Sequence, residues 1–234
     1  MSSSITGYFN LRGINNELQT RNADLENELL NLRSELEYYK SIAPGDSSSI
    51  DIPPKRFSYV TANVIANSTG KPYNYFTINR GSNSGIEKGM GVVNQKGIVG
   101  IVNVVGPNAS RVISLLNESQ HFSVKVKGSH SVGTLQWSVG NPSIAYVIEL
   151  PRHVTYHVGD TIVTSGYSTT FPEGIPVGVV LGRVKALDNN FIALKLRLLP
   201  QMDNLSTVRI IIDHYKNEMD SLATFDAETP QNEQ

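Results

Sequence analysis

Cysteine is absent from all 234 residues, so no disulfide braces this chain. The absence does not fix the compartment, because oxidising surroundings permit disulfides without requiring them. Long apolar runs are missing too: no stretch approaches the 18 or more residues that span a bilayer, and the opening "MSSSITGYFN" lacks the apolar core of a signal peptide. Nor does one sign of charge dominate, with 20 Lys and Arg against 21 Asp and Glu for a formal net of −1. That balance excludes the broad basic face of a nucleic-acid partner, and with it an oligonucleotide-binding barrel whose affinity would fall with salt. Tryptophan occurs once, at Trp137, in an expected hairpin where packing explains it.

What the chain does have begins with leucine. Leu25, Leu29, Leu32, Leu36 and Tyr39 alternate steps of four and three, and the same register takes in Leu18 and Leu11. This is a heptad. With Leu11, Leu18, Leu25, Leu32 and Tyr39 at d, the a positions are Asn15, Asn22, Leu29 and Leu36. Asparagine at a weakens a seam but selects register and strand number, because a parallel pair lets the two amides meet. Arg21 at g then faces Glu26 at the partner's following e, Glu28 faces Arg33, and Glu35 faces Lys40. Each exposed pair contributes only about 0.3–0.5 kcal/mol, so these charges choose partner and orientation while the leucines supply the holding energy. A helix packed on its own domain carries a wider apolar face, whereas e and g here are largely polar. The pattern therefore predicts a parallel homodimeric coiled coil, with a helix folded back on its own domain as the alternative.

The fold class expected is mainly β with an N-terminal α-helical coiled coil. Residues 1–42 form the coil, and the Pro-, Gly- and Ser-rich stretch at 43–57 reads as a linker. From 58 to 213 the period changes to two, in runs such as Ser123-Val124-Lys125-Val126-Lys127 and Leu194-Lys195-Leu196-Arg197-Leu198 separated by Gly, Asn and Pro turns. "KGMGVV" followed by "KGIVGIVNVV" is echoed by "VGDTIV" followed by "EGIPVGVVLGRV", which points to two related small β-barrels at 58–119 and 120–213. The last strand, Val208 to Ile212, has the alternative of pairing back into the first barrel. From Asp213 onward six acidic residues face one lysine, so 214–234 reads as an acidic disordered tail.

Catalytic chemistry is hard to place. His153 and His157 are four apart, but "HVTYHV" is β-branched and aromatic, and in a strand those rings would stand roughly 13 Å apart. No metal or cofactor site is expected. A trypsin-like double barrel is the sharper alternative, since "VGDTIVTSG" resembles the Gly-Asp-Ser-Gly-Gly of such hydrolases. Thr161 stands where the serine should be, and Ile162 and Val163 replace the glycines of an oxyanion hole. Asp160 reads more simply as a turn residue capping nearby amides. Gly81, Gly85, Gly89 and Gly91 match neither phosphate-loop nor dinucleotide patterns and are assigned to turns needing positive φ. In the loop Ser165 to Gly178, a solvent-facing Tyr167 or Phe171 would suit a partner anchor, and buried loop packing is the other reading.

Two segments, "INRGSNSGIEKGMGVVNQKGIVGIV" and "VGDTIVTSGYSTTFPEGIPVGVV", resemble the most characteristic stretches of the rod shape-determining protein MreC family. The likeness is carried by Gly81, Gly85, Gly89, Gly97 and Gly100 in the first, and by Gly159, Asp160, Gly166, Pro172, Gly174, Pro176 and Gly178 in the second. It extends over coil, linker and β region. Between Ala66 and Phe76, where the family often shows Asp-Pro and a Trp, "NSTGKPYNYF" has neither. The resemblance implies trypsin-like barrels without catalytic groups, hence no enzyme. It implies a dimeric scaffold of the wall-elongation machinery that contacts MreD, the elongation class B penicillin-binding protein and, indirectly, the actin-like MreB. The implied location is extracytoplasmic, anchored in the bacterial inner membrane through an N-terminal helix. Such a helix is absent from this chain, which is expected to begin just after it. Assembly into filaments through edge strands is a further expectation.

Overall fold

The computed structural model describes residues 56–185 and 190–216, together with 18, 21, 22, 25, 28, 29, 32, 36, 218 and 221. Leu11, Asn15 and Tyr39 of the expected seam lie outside the described residues, as do the linker up to 55 and the tail beyond 221. The described seam residues, Leu18, Asn22, Leu25, Leu29, Leu32 and Leu36, are all helical and all exposed.

The alternating runs become twelve strands: β1 (Phe57–Asn67), β2 (Tyr73–Ile78), β3 (Gly91–Asn94), β4 (Gly97–Val105), β5 (Ser110–Asn117), β6 (His121–Val126), β7 (Val132–Gln136), β8 (Ile144–Pro151), β9 (Thr161–Thr164), β10 (Pro176–Val184), β11 (Phe191–Leu198) and β12 (Thr207–Asp213). They close into two six-stranded barrels, ordered β1-β12-β3-β4-β5-β2 and β10-β11-β8-β7-β6-β9. All pairings are antiparallel. The two echoed segments each form a pair, β3 with β4 and β9 with β10. β12 belongs to the first barrel: it pairs with β1 from Phe57↔Asp213 to Asn63↔Thr207 and with β3 at Arg209↔Val93. The second barrel therefore runs from His121 to Leu198 instead of reaching 213.

Period-two strands place one face inside each barrel, where Ile78, Val92, Ile98, Val112, Val208 and Ile210 fill the first and Val124, Leu135, Val147, Ile162, Leu194 and Leu196 the second. The buried side chains of both barrels join in one continuous cluster, to which the 3₁₀ turn Met202–Asn204 adds Met202. Trp137 is buried, and its indole N–H donates to the Asn141 carbonyl at 3.2 Å.

Four expectations are corrected. His153 and His157 are not in a strand: β8 ends at Pro151, whose ring cannot donate to a ladder, and the following residues form turns and irregular chain. Gly85 and Gly89 have positive φ, but Gly81 and Gly91 do not, and their role is to leave room for approaching backbone. The acidic tail is helical at Lys216, Glu218 and Ser221. Among the described residues closure also leaves neither barrel a free edge, which argues against the edge-strand route to filaments.

Candidate partner-binding groove between the barrels

The motif Thr164-Ser165-Gly166 ends β9 and organises the loop that follows. Thr164 is buried; its hydroxyl donates to the Pro172 carbonyl at 2.6 Å and accepts the Ile175 N–H at 2.9 Å. Its backbone takes the Gly174 N–H at 3.0 Å and gives its own N–H to Ile175 at 2.9 Å. Ser165 donates from its hydroxyl to that of Ser123 at 2.8 Å, tying the loop to β6. One threonine thus holds both arms of a hairpin loop in register. Thr164→Val keeps the shape and deletes the hydroxyl, leaving Ile175 N–H without its acceptor. The expected loss is about 1–3 kcal/mol, read as a lower urea midpoint at unchanged m.

The loop is also where the barrels meet. Phe171 is 5% exposed, its ring 6.1 Å from that of Phe122, and it occupies the space that a side chain at Gly91 would need. Of the two anchor candidates, burial removes Phe171 and leaves Tyr167, which is 79% exposed at the loop tip. Gly97, at the β3–β4 turn, lies against the Pro176 carbonyl at the start of β10.

Beside this contact runs a groove of about 560 Å³. Val93 and Tyr59 from the first barrel and Val163, Ile175 and Pro176 from the second give it apolar walls. Lys125 of β6 and Lys127 just beyond it lie along the groove, and Lys125, only 8% exposed, pairs with Glu173 at 2.6 Å. Sequence reasoning missed Lys125, whose place in a simple alternation marks it as facing solvent. No local signal reveals that a loop 48 residues away covers it. The groove offers apolar surface with Lys127 at its edge, the Lys125 charge being met by Glu173, which suits an amphipathic partner.

The remaining sequence candidates are dispersed. The Asp160 carboxylate accepts the His157 backbone N–H at 2.7 Å and sits 3.7 Å from its Nδ1, a local turn exposed to solvent. His153 is within 3.3 Å of the Ser131 hydroxyl, and no cluster of three metal-ligating side chains occurs among the described residues. Gly159, Gly166 and Gly174 take positive φ in turns, while Gly100 and Gly178 lie in strands against a neighbour's carbonyl. Among the described residues no helix is long and apolar enough to cross a membrane.

Comparison with known proteins agrees with this architecture. The family described as rod shape-determining protein MreC, barrel core, matches residues 64–212. The cell shape-determining protein MreC of Haemophilus influenzae is 30% identical over 150 residues, covering 64% of this chain and 42% of that protein. The chain spans about half the length of the curated relatives it matches. Among solved structures, MreC of Listeria monocytogenes superimposes with a TM-score of 0.65 at 23% identity, covering 85% of this chain and 93% of that one. MreC from a Helicobacter pylori complex with penicillin-binding protein PBP2 does so at 0.53 and 17%, covering 68% and 99%.

Proposed function

This chain belongs to the rod shape-determining protein MreC family, and on that premise we propose that it is a dimeric, non-enzymatic scaffold of the bacterial wall-elongation complex. The observation that carries the reading is a stripe of five leucines, Leu18 to Leu36, each about half exposed on a helix beside two closed barrels. Apolar surface in such a row marks an interaction face. In a parallel pair the stripe becomes the seam, and about 35 helical residues would make a stalk of about 50 Å.

The partner proposed for the barrels is the class B penicillin-binding protein of elongation, supported by the Helicobacter pylori complex of MreC with PBP2. MreD and, through the membrane complex, MreB complete the assembly. The setting is extracytoplasmic, with an anchor in the inner membrane. Such a scaffold acts by binding one conformation of its enzyme partner better than another, which shifts that enzyme's population. Assembly into filaments uses barrel faces or the helices.

Tyr167 is the first contact to test. It is large, half apolar and presented on a loop held by Thr164, so little conformational entropy is lost when it docks. Tyr167→Ala is expected to weaken binding to the purified extracytoplasmic part of the penicillin-binding protein by about tenfold or more in surface plasmon resonance. Unfolding should move by less than about 0.5 kcal/mol. No binding by the unaltered chain would sink the partner assignment; unchanged affinity in the variant would sink only the site.

A further inference from the structure

One residue of the chain's own helix borders the groove between the barrels. Leu29 lines it together with Tyr59, Val93, Val163 and Ile175, and at 48% it is the least exposed of the five leucines, the others lying between 54 and 57%. We propose that the inter-barrel groove is a docking slot for the chain's own N-terminal helix around Leu29, and that docking there competes with coiled-coil pairing.

Charge favours this occupant. Asp24, Glu26 and Glu28 lie within the segment Asn22 to Leu32, which contains no Lys or Arg. The groove presents Lys125 and Lys127, with Glu173 engaged by Lys125. An acidic segment carrying a leucine therefore meets apolar walls with Lys127 at their edge, the chemistry of helix-in-groove recognition. The competition follows from position. Leu29 is an a residue, and in a coiled coil an a side chain sits in a hole made by four residues of the facing helix. One side chain cannot fill both places, so pairing empties the groove and exposes its walls to another amphipathic partner. The competing state rests on the dimer reading; docking itself does not.

The absence of cysteine makes the test clean. Leu29→Cys is combined with Gln95→Cys on the exposed groove rim and treated with a short bismaleimide; Leu18→Cys with Gln95→Cys is the control. Cysteine at 29 remains a small apolar side chain. The expected result is an intrachain link at 29–95 in dilute protein, at least tenfold above the control. Its yield should fall as concentration rises, while Leu29→Cys alone links two copies. An intrachain link no better than the control overturns docking, and a 29–95 link found only between copies overturns it in favour of exchanged helices. A link whose yield ignores concentration overturns the competition. If Leu29→Cys alone never joins two copies, the dimer reading fails, and the intrachain link still decides docking.

Discussion

A chain carrying Leu25→Ser, Leu29→Ser and Leu32→Ser is expected to be a monomer in light scattering at concentrations where the unaltered chain is a dimer, with its barrels still melting at the same temperature. The size of the effect follows from exposure. Full burial of a leucine is worth about 1.5–3 kcal/mol, and these are already about half covered, so each gains roughly 1 kcal/mol on pairing. A symmetric dimer loses that gain at six positions, roughly 6 kcal/mol, or about four orders of magnitude in dissociation constant. The barrels should be indifferent, because their closed ladders and continuous core do not include these leucines and pairing draws Leu29 out of the groove in the unaltered dimer. A fall in barrel stability would mean that the leucines serve their own chain, and a monomer from the start would mean that the register does not pair.

Gly97→Ala should damage the opposite part of the molecule. Gly97 has φ +149 at the first residue of β4, a conformation that a side chain rarely adopts. An added Cβ would also collide with the Pro176 carbonyl, which is backbone in β10 and cannot swing aside. Strained φ costs about 1–3 kcal/mol and overpacking a similar amount, so a loss of about 2–4 kcal/mol is expected where the barrels touch. Differential scanning calorimetry would show a lowered melting temperature, and the proposed leucine-dependent pairing should be unaffected. Gly85→Ala is the informative comparison: its φ is +74 but nothing lies within 4 Å of the added atom, so the smaller, backbone part of the penalty alone should appear. Equal losses at both positions would argue that the contact between Gly97 and Pro176 is unimportant.

These contrasts also show what can be read from the chain alone. Runs with strict alternation, such as Leu194 to Leu198 in β11, announce themselves because a barrel buries one face only. The Asp160 cap is legible because its partner, the His157 amide, is three residues away. The closure of the first barrel by β12 is left open, since the partners Phe57 and Asp213 are 156 positions apart and no local pattern records which barrel a strand joins. "HVTYHV" misleads for a related reason: β-branched and aromatic content measures fitness for a pleated surface, and here the surface ends at Pro151. The groove is least visible of all. Lys125, Glu173 and Val93 come from three separate segments, and only the approach of two barrels gives them a common purpose.

The return of β12 to β1 and β3 sets a timetable for the newborn chain. Everything the first barrel needs except one strand is synthesised by Asn117, yet the missing piece arrives only after the entire second barrel has been made. Until Thr207–Asp213 emerges, β1 and β3 present unpaired edges, the surfaces through which nascent chains aggregate. A ribosome that stalls before residue 207, or a protease that removes the last strand, would leave a half-closed first barrel beside a finished second one. Such truncated products should be recognised and cleared, so only a chain translated past Asp213 would leave both barrels closed.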